Sequence, residues 1–190
     1  MHTVYYKIAC DLWILLGIVW LAAMFMAKPV VRMQSGGSRF FTIALSFLGF
    51  SLVFSSYFRT GLLAERFLPR SNLIGVIGLV LTFIGIGFSI WARLQLGGNW
   101  SGTVTVKQDH TLIRQGPYAL VRHPIYSGFL LAILGVALIV GEYRCLLGLA
   151  VLFLGFLLKS SMEERFMLDQ FDGDYRTYQR QVKALIPFVF

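Results

Sequence analysis

Charge is scarce in this chain. Only 14% of its 190 residues are Asp, Glu, Lys or Arg, against 57% that are hydrophobic, and a soluble domain of this size needs far more polar surface to cover its core. The composition excludes an ordinary soluble domain and points to a membrane protein. Cysteine is nearly absent. Cys10 and Cys145 stand far apart, within or beside apolar segments and without metal-ligand spacing, so they read as small apolar residues and no metal is expected. The alternation of apolar and polar residues that a membrane barrel requires is also missing, because the apolar runs are continuous. With no repeat, no low-complexity linker and no second soluble domain, residues 1–190 read as a single membrane domain.

What the chain does have is apolar length. A hydrocarbon core of roughly 30 Å takes about 20 helical residues to cross. Five runs approach that length: Ile8 to Met26, Phe40 to Phe58, Asn72 to Ala92, Ile125 to Tyr143 and Cys145 to Met162. The last two reach it only by including polar residues at one end. The first run has no charged leader and no small-residue cleavage site after it, so it reads as a helix and not as a secretion signal. The fold class expected is an all-α integral membrane protein of about five transmembrane helices. The first three fall in residues 1–92, and the polar machinery falls in 93–190.

The basic residues are unevenly distributed. Five spans put Lys28, Arg32, Arg39, Arg93, Lys107, Arg114, Arg122, Lys159, Arg165, Arg176, Arg180 and Lys183 on one side, twelve in all, against five on the other: Lys7, Arg59, Arg66, Arg70 and Arg144. Positive residues favour the cytoplasmic side, so the connection between helices 3 and 4 and the C-terminal tail are expected to face the cytoplasm. The excess suits anionic lipid headgroups; no nucleic-acid partner is expected. The glycosylation pattern at Asn99 falls on the cytoplasmic side of this topology, where that modification does not occur.

Polar residues concentrate in two stretches that this topology brings together. One is the connection from Arg93 to Tyr126, the other the tail from Lys159. The connection is long for a plain link between spans, and its Trp, His and Tyr content argues against disorder. In the tail, Glu163 follows Lys159 by four residues, so the two share a helix face. Ionisable groups that close to an apolar run are costly unless they pair or line a polar cavity. Beyond them, Phe166, Phe171, Tyr175, Tyr178 and Val182 lie around Gly173, which predicts two short amphipathic helices at the membrane surface.

The run "DHTLIRQGPYALVRHPIYSG", then about thirty apolar residues, then "EE", then "DYRTYQRQV...IP", resembles the isoprenylcysteine carboxyl methyltransferases and related phospholipid methyltransferases over about residues 93–188. The resemblance implies S-adenosyl-L-methionine as cofactor, held in a cytoplasm-facing pocket partly enclosed by the membrane helices. That agrees with the absence of a Gly-rich strand-to-helix fingerprint. It implies that His110, Thr111, Leu112 and Ile113 contact the cofactor, much of it through backbone groups. Tyr118, His123, Pro124, Ile125 and Tyr126 would form the rest of the wall, and Glu163 would hold the cofactor's polar end. Eukaryotic isoprenylcysteine enzymes carry Arg four residues before that Glu; here the residue is Lys159, a point charge in place of a two-pronged grip.

Methyl transfer from a sulfonium is an in-line displacement with a neutral leaving group, so alignment and exclusion of water are the main demands. Trp100 and Tyr126 are candidates for cation–π contact with the sulfonium. A carboxylate acceptor is already ionised and needs no base, and Lys159 would orient it. An amine acceptor must lose a proton, with His123 or Glu164 as base. The expected acceptor is a lipid-like or prenylated small molecule bearing a carboxylate. Alternatives are a phospholipid or other lipid N-methyltransferase, a membrane sterol-type reductase using NADPH, and a non-catalytic membrane adaptor. The last leaves the motifs around His123 and Glu163 unexplained.

Overall fold

Each long apolar run is a helix. The computed structural model describes residues 2–25, 30–33, 36–100, 105–107, 112–187 and 189. The helices are α1 (His2–Met24), α2 (Gly36–Phe54), α3 (Asn72–Leu96), α4 (Pro124–Val140) and α5 (Tyr143–Gln181). α1, α2, α3 and α5 are long and apolar enough to cross a membrane. α4 has 17 residues, which at 1.5 Å per residue gives about 25 Å, just under a full crossing. Its ends explain the length: Pro124 at the first helical position suits a start where no N–H partner is needed, and Gly141 stops it in a left-handed conformation at φ 68°. The run expected to reach Tyr143 therefore ends three residues earlier.

The all-α expectation holds for the membrane part, and a small ribbon is added to it. Strand β1 (Val30–Met33) pairs antiparallel with β2 (Thr105–Lys107), with Arg32 opposite Val106. The pairing ties the connection after α1 to the connection after α3, so those two connections share one side of the bundle.

α4 is the central helix. Its contact with α3 is the most extensive in the molecule, and it is made by small residues: Gly78, Thr82, Gly85 and Ser89 on α3 against Gly128, Ala132 and Gly135 on α4. A Cβ added at Gly85 would stand 2.5 Å from the Gly128 carbonyl oxygen. Without a hydrophobic drive between helices in lipid, this close approach of backbones is what holds the pair. Hydroxyls add to it, with Thr82 donating to the Ala132 carbonyl (3.3 Å) and Ser89 to that of Ile125 (3.3 Å). Between α1, α2 and α4 the space is filled by rings: Trp13, Phe50, Phe54 and Phe129 meet edge to face at 5.4 to 5.6 Å around Trp13.

The tail differs from expectation. Instead of starting afresh at the surface, the helix continues from Tyr143 to a kink at Asp172 (φ 34°, ψ −109°), beside the break expected at Gly173, and a second helical stretch then runs to Gln181. The segment from Lys159 to Gln170 holds no Gly or Pro, so nothing ends the helix at the membrane boundary. The apolar part of α5, residues 145–158, passes within the same helix into a polar continuation from Lys159. After Gln181 the chain returns to the start of α4, where Val121 bridges Lys183.

At the opposite end the α4–α5 turn is clasped. Glu142, 4% exposed, accepts from Arg59 (3.0 Å) and Arg144 (2.7 Å), and Arg144 also donates to the carbonyls of Leu52, Val53 and Ser55 that end α2. A buried acid paired this fully is a structural clamp.

Candidate functional site

The start of α4 is held by the end of the chain. The amides of Arg122 and His123 donate to the carbonyls of Lys183 (2.8 Å) and Ala184 (3.0 Å), and the Ser127 hydroxyl donates to that of Leu185 (2.6 Å). This strap fixes the backbone from which His123 and Tyr126 project. Opposite them, the continuation of α5 presents Lys159, Glu163 and Glu164. Sequence distance is closed by two packed elements.

His123, 8% exposed, lies between two carboxylates. Its Nδ1 is 3.3 Å from Glu163 Oε2 and its Nε2 3.1 Å from Glu164 Oε1. The Tyr126 hydroxyl donates to the other oxygen of Glu163 at 2.5 Å. Arg122 grips Glu164 through Nε (2.8 Å) and Nη2 (2.6 Å), and Gln179 donates to Glu164 Oε2 (2.8 Å). Burial disfavours charge on all three titrating groups, yet the mutual hydrogen bonds prevail. His123 is raised above its ordinary value. Glu163 is lowered, by His123, Lys159 and Tyr126 against its burial, and Glu164 is held down at about 2 by His123 and Arg122.

Rings back the cluster. Tyr126 stacks with His123 (centroids 5.6 Å, planes 9° apart) and with Phe156 (4.8 Å, 6°), while Lys159 Nζ lies 5.3 Å from the Tyr126 centroid. Trp100 is engaged elsewhere, its ring lying 4.5 Å from the guanidinium of Arg93. Arg93 is 1% exposed and pins the ends of α1 and α3 by donating to the carbonyls of Ala23 and Gly97. Both rings proposed for a sulfonium already have stacking or cationic partners.

Beside the cluster in sequence, Leu112 and Ile113 line a cleft of about 320 Å³ together with Gln95, Arg114 and Gln115, within the lower range of small-molecule sites. Arg114 is tied to Asp174 beyond the α5 break (3.2 Å). Tyr118 is buried, its hydroxyl 3.4 Å from the Ala92 carbonyl and its own carbonyl accepting from Tyr178, so it braces the turn between cleft and cluster. Pro124 and Ile125 are likewise backbone elements of the helix start. His110 and Thr111 lie outside the described residues. The fold thus joins His123, Tyr126, Lys159 and Glu163 directly, and sets Leu112 and Ile113 in a cleft. Reading the sequence for site residues missed Arg122, Gln179, Gln95 and Gln115; Arg122 stood in the quoted "RHP", but the three glutamines carried no signal.

The phospholipid methyltransferase family model matches residues 73–174. The protein-S-isoprenylcysteine O-methyltransferase of Schizosaccharomyces pombe is 35% identical over 101 residues, covering 52% of this chain and 43% of its own. That of Xenopus laevis is 32% identical over 125 residues, covering 64% and 43%. A solved structure of the eukaryotic intramembrane Ras methyltransferase, isoprenylcysteine carboxyl methyltransferase, aligns with a TM-score of 0.54 at 25% identity, covering 83% of this chain and 55% of that one. The chain therefore spans less than half the length of these two curated relatives. The family match takes in α3, α4 and most of α5, the elements that build the cluster, and on it the chain belongs to the phospholipid methyltransferase family.

Proposed function

We propose that this chain is a membrane-embedded methyltransferase that uses S-adenosyl-L-methionine and methylates a carboxylate on a lipid-like acceptor of the isoprenylcysteine type. Its cofactor supplies an activated methyl on a sulfonium. The donor set suits that molecule: a carboxylate, Glu163, for its cationic groups, and a cleft lined by Leu112 and Ile113 for its remainder. Glu163 is the half of the glutamate pair with room to serve, its side chain 24% exposed against 16% for Glu164.

The observation that supports a carboxylate acceptor is the double engagement of His123. Both of its ring nitrogens face carboxylates, and Glu164 is already engaged by Arg122 and Gln179. Neither group assigned as base for an amine is free to take a proton. An acceptor that arrives ionised needs none. Lys159 supplies a cation beside Tyr126, one helical turn nearer the membrane than Glu163, where a lipid-borne carboxylate would be oriented and water excluded. The twelve-to-five distribution of basic residues supports a cytoplasmic placement of this side.

The test is to titrate the detergent-purified protein with S-adenosylmethionine and with NADPH. Saturable binding of the first alone is expected. Saturable binding of NADPH alone contradicts the reading.

A further inference from the structure

Glu164 has no place in the reading above except as a group already occupied, and that occupancy has a chemical meaning. A carboxylate offers about four lone-pair sites. Arg122 Nε, Arg122 Nη2 and His123 Nε2 converge on Oε1, and Gln179 Nε2 reaches Oε2. Arg122 is itself fixed by the carbonyls of Gln179 and Val182. The clamp is therefore built from three parts of the chain: the turn before α4, the middle of the α5 continuation, and its last turn.

A neutral imidazole has one N–H and one lone pair. In the geometry present, with an oxygen 3.3 Å from Nδ1 and another 3.1 Å from Nε2, a neutral ring would turn a lone pair toward a carboxylate oxygen on one side or the other. Nε2 makes the hydrogen bond to Glu164 and Nδ1 stands at ion-pair distance from Glu163, an arrangement that the imidazolium satisfies on both sides. Two nearby cations, Lys159 and Arg122, oppose its charge by like sign, and the two carboxylates they keep ionised favour it. The Tyr126 ring covers one face of His123 and its hydroxyl donates a hydrogen bond to Glu163, and the hydroxyls of Tyr118, Tyr175 and Tyr178 near these carboxylates stay protonated.

We propose that Glu164 is a positioning residue that fixes the ring of His123 with a proton on both nitrogens, so that His123 serves the site as a held cation and double donor and not as a base. This deepens the methyltransferase reading and rests on it for its consequence. Charged His123 holds Glu163 toward the cofactor and adds positive potential where the acceptor carboxylate would sit.

The chain has three histidines, so a variant with His2→Asn and His110→Asn leaves His123 as the single source of ring signals in ¹⁵N-histidine spectra of the detergent-solubilised protein. Both ring nitrogens of His123 should be protonated at pH 7.5. Glu164→Gln in that background should lower the titration midpoint by about 1 to 3 pH units, the usual effect of one adjacent opposite charge. In the otherwise native chain, Glu164→Gln should give methyl transfer an alkaline fall, centred on the lowered midpoint, that the parent lacks below pH 8. A neutral His123 in the parent overturns the proposal, as does an unmoved midpoint or a loss of turnover that is uniform across pH. If the parent binds no S-adenosylmethionine, the functional reading fails, and the spectra still decide the role of Glu164.

Discussion

Lys159 Nζ stands 5.3 Å from the centre of the Tyr126 ring, whose hydroxyl is bonded to Glu163. One cation, one ring and one carboxylate are thereby linked across α4 and α5. A charge at the edge of an apolar helix interacts more strongly than in water, so removing it should be felt first by a charged acceptor. Lys159→Met is expected to reduce methyl transfer to a carboxylate at least tenfold, with a much smaller change in S-adenosylmethionine affinity, measured as turnover and as Kd on the same preparation. Equal losses in both would make Lys159 only a structural partner of Glu163.

The Tyr126 hydroxyl is tested without disturbing the stack. Tyr126→Phe keeps the ring against His123 and Phe156 but removes the donor to Glu163. A hydrogen bond to a charged group is worth about 1.5 to 3 kcal/mol of stability, so the thermal midpoint should fall, and cofactor affinity should fall with it because Glu163 loses the group that orients it. Unchanged affinity would remove Tyr126 from the site.

The cluster also sets a pH window for stability. His123 is raised, so its contribution is complete below its ordinary value of 6.5 and is lost as pH rises through the raised value. Glu164 is depressed, so its contribution is present above the ordinary 4.5 and is lost as pH falls toward about 2. The thermal midpoint in detergent should hold a plateau between these limits and decline on both sides. Glu164→Gln should lessen the acid decline, with Glu163, which is also lowered, supplying the remainder.

Glu142 provides the control at the other end of the bundle. It is buried between Arg59 and Arg144, and breaking a buried pair by neutralising one partner costs about 3 to 5 kcal/mol. Glu142→Gln should lower the thermal midpoint clearly yet leave the cofactor Kd of the folded fraction unchanged. A specific loss of affinity would mean that the two ends are coupled.

How far the sequence foretold this arrangement depended on range. Uninterrupted apolar length marked the helices and Pro124 the start of α4, because those signals are local, while the stop at Gly141 was passed over in a run expected to reach Tyr143. The meeting of His123 with Glu163 followed from placing both polar stretches on one side, together with the family resemblance. The run was expected to end at Met162, and its continuation to the kink at Asp172 was missed because Phe166, Phe171 and Tyr175 alternate with charges as a surface helix would, although nothing between Lys159 and Gln170 breaks a helix. Gln179 was invisible for a plainer reason: its partner Glu164 is fifteen residues away, on the far side of the Asp172 break, and no helical periodicity relates them. Trp100 looked free for a cation until the fold set Arg93 on its ring.

The central claim is carboxyl methylation by a site without a free base. The most direct measurement supplies the purified protein with methyl-labelled S-adenosylmethionine and, in parallel, an S-prenylated cysteine with a free carboxylate and an amine-headgroup lipid. The account predicts label in a base-labile ester on the prenylated cysteine, formed at least tenfold faster than any labelled amine. Label on the amine lipid with none on the carboxylate would contradict it.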